Sequence, residues 1–477
     1  MKKKLLSLLL ATAMIATLLV GCGPKKEDPA ATPTAAAVVD DAAATDVPVA
    51  TEVPAAEQGK VFNIYCWNTE FQSRVTSYLP GYVDNGDGTG TIGDVKVNWV
   101  ITPSQDNAYQ NALDAALLTQ ADAAADDKVD LFLVEADYAL KYVNAATPVA
   151  MNVKDLGLSD ADMAGQYQYT KDIVTDGSGV IRGTTWQATP GLFAYRRSIA
   201  KAVLGTDDPA EVQKKVSNWA DFAAVAADMK TAGYTMLSGF DDSYRTFSNN
   251  VSAPWVQDGK IVVDANIMAW VDQTKDFTDK GYNNKSLLWD MQWGADQGPD
   301  GKTFGYFYST WGINFTLRDN SRSDSEVDAA AGNGIWGDWA VTEGPAPFYW
   351  GGTWICGAIG TDNTSLVKDI MYSLTCDPAI MKQITEVEQD YTNNQVAMEE
   401  IAASDFKSEF LGGQNHIALF AAAAPKIDMS NISGYDQTCN EEIQTAFHDY
   451  FNGTVDKATA LENFYKAVQV KHPELTY

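Results

Sequence analysis

Many of the 13 tryptophans in this chain stand next to Asp, Glu, Asn or Gly in loop-like contexts instead of inside apolar runs. The instances are Trp67-Asn68-Thr69-Glu70, Trp186-Gln187, Trp289 with Trp293, Thr310-Trp311, Trp336-Gly337-Asp338-Trp339 and Trp350-Gly351-Gly352-Thr353-Trp354. A flat indole offers an apolar face, and a neighbouring carboxylate or amide offers hydrogen-bond partners. That pairing suits a ligand with apolar C–H faces and many hydroxyls, as a pyranose ring has. Trp99, Trp219 and Trp270 lie in strand or helix interiors and are expected in the core. Arg245, in Asp241-Asp242-Ser243-Tyr244-Arg245, could give a bidentate pair to two hydroxyls or pair with Asp241 or Asp242. Gly351-Gly352 either lets backbone amides approach a ligand closely or marks a strand bend.

Paired carboxylates beside aromatics also serve sugar hydrolysis. Glu135 and Asp137, however, lie two apart at one strand end, with nothing that sets an acid opposite a nucleophile. Only His416, His448 and His472 are available for a triad, all in the C-terminal part, and no His-Glu-x-x-His, Walker loop or dinucleotide fingerprint occurs. Neither a catalytic set nor a metal or cofactor site is expected.

The elements that must position these residues alternate between strand and helix. Val61–Trp67 forms a buried first strand, followed by the loop Asn68-Thr69-Glu70 and a helix through Tyr78; Lys96–Ile101 is the second strand. Asp84–Gly90 is turn-rich but lacks the ligand spacing of a calcium loop, so a hairpin turn is expected. Asn107–Ala123 is a helix, and Val129–Val134 is a third strand that delivers Glu135, Asp137 and Tyr138. This order implies a parallel α/β sheet. Thr184–Tyr195, broken at Pro190, and Gly344–Trp354 suit two crossings between lobes, with helices at Trp219–Ala232, Met268–Lys280 and Lys285–Gln297 between them. From about Ala379 the chain is helical nearly throughout. Two crossings make a clamshell, in which ligand binds between lobes at the carboxyl ends of strands.

Composition fixes the setting. Three lysines precede an apolar run from Leu5 to Val20, too short for a comfortable membrane span, and Leu19-Val20-Gly21-Cys22 resembles a lipobox. Residues 1–21 are thus expected to be cleaved and Cys22 lipidated, anchoring the protein to the outer face of the bacterial cytoplasmic membrane. Residues 22–58, rich in Ala, Pro and Thr and without an aromatic, form a disordered tether with a root-mean-square span of roughly 30–35 Å. The remaining body is too long for one core. Net charge is −29, and removal of Met1–Gly21 with its three lysines makes it −32. Such a field excludes nucleic acid as a partner and disfavours anionic cargo. Cys66 and Cys356 sit in strand-like runs as small buried hydrophobes; one disulfide involving the remaining cysteines, Cys376 and Cys439, is left open.

In Tyr65-Cys66-Trp67-Asn68-Thr69-Glu70-Phe71, Asp130 to Tyr138, and Gly344-Pro345 with Trp350 to Trp354, taken in order behind the lipobox, the chain resembles the extracellular solute-binding proteins of family 1. These are the carbohydrate-binding components of ABC importers and include maltose-binding protein. The resemblance implies a type II periplasmic-binding-protein clamshell that closes on a di- or oligosaccharide and hands it to membrane permease subunits without making or breaking a bond. It makes Lys302–Trp311 a strand followed by a stacking tryptophan, and places Glu135 and Asp137 at the cleft. This loop lacks the aromatic the family carries there, a role Tyr138 can take. The expected lobes are 59–186 with 348–390, and 187–347 with 391–477. The expected ligand contacts are Trp67, Asn68, Glu70, Glu135, Asp137, Tyr138, Trp186, Arg245, Trp311, Trp350, Gly351, Gly352 and Trp354, in a monomer. The alternatives are a peptide or amino-acid receptor, which would want a free Arg or Lys, and a secreted glycoside hydrolase.

Overall fold

A computed structural model describes residues 59–144 and 147–477; the signal, Cys22 and the tether lie outside them. Among the described residues twelve strands occur in chain order: β1 Val61–Cys66, β2 Tyr82–Asp84, β3 Thr89–Ile92, β4 Val95–Ile101, β5 Leu131–Glu135, β6 Thr184–Thr185, β7 Leu192–Arg196, β8 Val256–Gln257, β9 Lys260–Ile261, β10 Gly305–Tyr308, β11 Trp339–Thr342 and β12 Thr353–Gly357. Seven of them form a sheet of order β2-β3-β4-β1-β5-β12-β6, and β10-β7-β11 form a smaller antiparallel one.

The large sheet is parallel only at its centre, where β1 pairs with β4 and β5. The expectation of a parallel sheet therefore needs correction at the margins. The β2–β3 and β3–β4 pairs are antiparallel hairpins, the first turning through Asp84–Gly90 as expected, and β12 runs antiparallel to β5. β12 arrives from the smaller sheet and not through a helical crossover, so nothing imposes a parallel direction on it.

Alternation along the strands explains why both faces are covered. Phe62, Ile64, Leu131, Leu133 and Ile355 face one core, which includes the helices Glu70–Tyr78, Thr364–Thr375 and Pro378–Glu388. Phe132, Val134, Trp354 and Cys356 face the other, shared with Tyr109, Leu113 and the helices Gln395–Ala402 and His416–Ala423. The small sheet packs on helices around Val212, Phe222 and Met229. A fourth core joins helix Ala265–Lys280 to the C-terminal pair Asp436–Phe451 and Lys457–Lys471.

Two segments connect the two sheets, and a third lies beside them. The run after β6 pairs on one side with the chain beyond helix Pro378–Glu388, through Asn393 N to Trp186 O at 2.8 Å and Ala188 N to Tyr391 O at 3.1 Å. On its other side it pairs with the run leading into β12, through Gly191 N to Phe348 O at 2.7 Å and Trp350 N to Thr189 O at 3.1 Å. Extended segments of this kind, which lie beside a core that takes in residues of both sheets, are where few dihedrals need change for a hinge.

Two expectations fail locally. Lys285–Gln297 is helical only over Met291–Ala295, because Lys285 and Trp289 hold positive φ and Asp290 caps the short helix by accepting from Trp293 N at 2.6 Å. The helix expected at Asn107–Ala123 spans Ala108–Leu118. All four described cysteines are free and buried, so no disulfide forms. Burial pushes the Cys66 thiol up to about 12 and that of Cys376 up to about 11, which leaves both protonated and unreactive. Among the described residues, no helix is long and apolar enough to cross a membrane.

Candidate ligand-binding site

β5 is a continuous apolar strand whose end turns into a polar corner at Glu135. Glu135 makes that turn: its Oε2 accepts the amide of Asp137 at 2.7 Å and caps the short helical turn Ala136–Tyr138. Both oxygens of Asp137 are then taken by Arg245 of helix Tyr244–Ser248, at 2.7 and 2.5 Å. This bidentate pair ties the tip of the large sheet to the helical half beyond the small one. The Asp241 or Asp242 pairing allowed for Arg245 does not occur. Asp241 faces His448 Nε2 at 2.9 Å, and Asp242 accepts the amides of Ser238 and Gly239 and Trp293 Nε1.

The corner is crowded with acid. Burial, and then the charge of Asp137, push the Glu135 carboxyl up to about 8; burial pushes Asp436 up to about 7. Asp137, Arg245, Tyr349, Asp436 and Asn440 line one pocket here. Tyr138, 9% exposed, packs against Trp67 at a centroid distance of 6.4 Å, and Trp67 also lies edge-on to Tyr109 at 5.4 Å.

A second polar chain starts at the loop after β1. Asn68 Oδ1 accepts the Glu70 amide at 3.0 Å, which starts helix Glu70–Tyr78. Glu70 Oε1 accepts Gln187 Nε2 at 2.9 Å; the same nitrogen donates to Asp390 at 3.0 Å, and Asp390 accepts the Thr310 hydroxyl at 2.5 Å. Burial raises Glu70 to about 7. The chain ends beside Trp311.

Trp311 belongs to a cluster of four tryptophans. Its Nε1 donates to the Trp350 carbonyl at 2.7 Å, and its ring meets Trp350 edge-on at 5.2 Å. Trp350 stacks on Tyr308 at 5.9 Å with 4° between planes, and Trp293 is anchored on Asp242. Trp289 lies over Trp311 at 6.1 Å and 26°, close also to Trp293 and Trp350. A Cβ at Gly351, where φ is +69°, would stand 3.0 Å from Trp311 Nε1, so the glycine lets the indole lie against the backbone. Gly352 plays the same part for Trp354, 3.0 Å from its ring. After Trp311 the helix widens into one π turn, Ile313–Leu317, a feature frequent at functional sites.

The structure thus brings Glu135, Asp137, Tyr138, Trp67 and Arg245 to one corner, Asn68 and Glu70 to the polar chain, and Trp311, Trp350 and Gly351 to the aromatic cluster. Two expected platforms have no free face. Trp186 is 1% exposed and stacked on Phe71 at 5.4 Å; Trp354 is fully buried and donates to Thr170 O at 2.8 Å. Their neighbours in sequence are polar, but both side chains point into the sheet's cores. Trp289 is missing from the expected contacts although it is half-exposed. The sequence pattern there predicts a helix, and only the spacing of Trp289 from Trp293 points to it. Trp99 and Trp270 are core residues as expected, 9% and 0% exposed.

No family model matches the chain, and no curated protein matches it. Solved structures do. An extracellular solute-binding protein of family 1 superposes with TM-score 0.70 at 15% identity, over 86% of this chain and 99% of the other. An ABC transporter binding protein from B. animalis subsp. lactis Bl-04, in complex with β-1,6-galactobiose, gives 0.62 at 15%, over 88% and 99%. The sugar-binding protein MalE of Xanthomonas citri gives 0.63 at 13%, over 87% and 98%. The chain has their fold, the two-lobed α/β clamshell of the type II periplasmic binding proteins.

Proposed function

We propose that this chain is the carbohydrate receptor of an ABC importer, a non-enzymatic carrier that binds a neutral di- or oligosaccharide between its lobes. The observation that carries the reading is the tryptophan cluster, a set of partly exposed indoles beside a polar chain that runs through Asp390 to Glu70. The galactobiose held by one structural neighbour supports the same ligand class. In this reading a sugar ring stacks at Trp311 and Trp350, with Trp67 on the far side. Glu70, Glu135 and Asp137 accept its hydroxyls, and Arg245 orients Asp137. The lobes are 59–186 with 348–390 and 187–347 with 391–477, and contact with both favours the closed form by its differential affinity alone. Closed receptor docks on the permease, while Cys22, lipidated after cleavage of residues 1–21, holds the monomer at the outer membrane face. Affinity near micromolar, about −8 kcal/mol, fits such a carrier.

A peptide or amino-acid receptor needs a free cation for a carboxylate, and Arg245 is already bound bidentately. A hydrolase needs a carboxylate placed to attack across the bond from an acid, and Asp137 is instead held in a bidentate pair with Arg245. The test is a thermal-shift screen of the mature chain carrying Cys22→Ser against neutral oligosaccharides, amino acids and short peptides, with each glycan re-assayed afterwards. Ligand at a hundred times Kd adds about 2.7 kcal/mol to native stability. A shift with one glycan family, recovered intact, is expected; a shift with peptides only, or cleavage of the glycan, overturns the reading.

A further inference from the structure

Trp289 is the outermost ring of the tryptophan cluster. Exposure climbs from Trp293 at 2%, through partly buried Trp311 and Trp350, to Trp289 at 50%. Its backbone is strained to put it there. Leu287–Asp290 is a turn closed by Asp290 N to Leu287 O at 3.2 Å, and Trp289 occupies its third position with φ +71°. That position normally takes glycine, since a side chain in the left-handed region costs about 1–2 kcal/mol. The turn is braced from both sides by one carboxylate: Asp290 Oδ2 accepts Leu287 N at 3.1 Å, and Oδ1 accepts Trp293 N. A strained residue persists where its surroundings fix it, and such positions gather at ligand sites. Here the fixed turn holds an indole that is stacked on Trp311 and yet half-exposed.

We propose that Trp289 is the chain-length determinant of this receptor, an outer stacking rung for the third or a later sugar ring of a neutral oligosaccharide whose first rings occupy the inner platform. The inference rests on the carbohydrate reading and deepens it. A ring on the outer face of Trp289 lies on the solvent side of one held by Trp311 and Trp350, so a disaccharide seated inside does not reach it and a longer chain does. Leu287 and Met291, two residues to either side of Trp289 in the chain, are exposed apolar residues as well, at 41% and 78%.

The experiment is calorimetric titration of the mature chain carrying Cys22→Ser, with and without Trp289→Gly, against the di-, tri- and tetrasaccharide of the glycan family that the screen identifies. Glycine suits the turn's φ, so the substitution removes the ring without new backbone strain; Trp289→Phe restores an aromatic face. Wild type is expected to bind the longer ligands more tightly. Trp289→Gly should weaken tri- and tetrasaccharide binding about three- to tenfold while changing disaccharide binding by less than about twofold, with Trp289→Phe recovering most of the loss. Equal loss for all lengths, no loss for any, or a wild type indifferent to length overturns the proposal while leaving a carbohydrate receptor; no loss at all would leave the exposed indole as a protein-facing surface. Failure of wild type to bind any glycan overturns the underlying reading itself.

Discussion

The acidic corner at the end of β5 and the aromatic cluster after β10 solve opposite problems. At the acidic corner Glu135, Asp137 and Arg245 satisfy one another, and the pair is only 16% and 19% exposed. At the aromatic cluster the indole N–H groups of Trp311 and Trp293 are satisfied by protein, while Trp289, Trp311 and Trp350 retain exposed surface. Polar groups that converge in a partly buried space must find partners or suffer desolvation, so they are spent on each other before ligand arrives. Aromatic faces make no such demand. In the proposed reading most of the affinity for a neutral ligand therefore comes from the tryptophans, and the acidic corner adds hydroxyl acceptors already fixed in place.

The largest test of this division is Trp311→Ala. Removing the central ring should raise the glycan Kd by roughly thirtyfold or more, about 2 kcal/mol, as a buried aromatic anchor does in other recognition surfaces. Calorimetry checks it, and a Kd within a factor of two of wild type would move the ligand elsewhere. Next comes Arg245→Met, which leaves Asp137 as an uncompensated, partly buried charge. Loss of about 2 kcal/mol in unfolding free energy is expected, below the 3–5 kcal/mol of fully buried pairs because water still reaches this one. Denaturant titration reads it. A variant of wild-type stability that no longer binds glycan would instead make Arg245 a direct ligand group.

pH separates the two sides further. Glu135 at about 8, and Asp436 and Glu70 at about 7, are all raised above their unfolded values. Each therefore contributes stability that is present at acid pH and lost as pH rises through its folded pKa. The melting temperature should fall between about pH 5 and pH 8.5, and Glu135→Gln should flatten the upper part of that fall. A rise across the same window would contradict the burial assigned to these groups. The smallest effect is Trp354→Phe, which removes the hydrogen bond to Thr170 O. Stability should drop by about 1 kcal/mol while glycan Kd stays within about twofold. A larger binding defect would return Trp354 to the cleft.

Strand alternation and the loop after each strand were legible in the residues themselves. Val61–Cys66, Val95–Ile101 and Leu131–Glu135 lie where apolar runs predicted them, and Glu135, Asp137 and Tyr138 emerge at the end of the third. What one-dimensional context could not reveal is which way a side chain points at a crossing. Trp186, just past β6, and Trp354, within β12, sit in polar sequence, yet each faces a core. Trp289 failed in the other direction: a helical pattern hid a turn that only its positive φ discloses. The partner of Arg245 was equally illegible, since Asp137 lies 108 residues away and the adjacent aspartates were the nearer choice.

The most direct test of the central claim is a crystal structure of the mature chain with the glycan that stabilises it most. The account predicts a sugar ring stacked in the Trp289–Trp311–Trp350 cluster, its hydroxyls reaching towards the chain that ends at Glu70. A ligand seated against the Asp137–Arg245 pair with the tryptophans bare would contradict it.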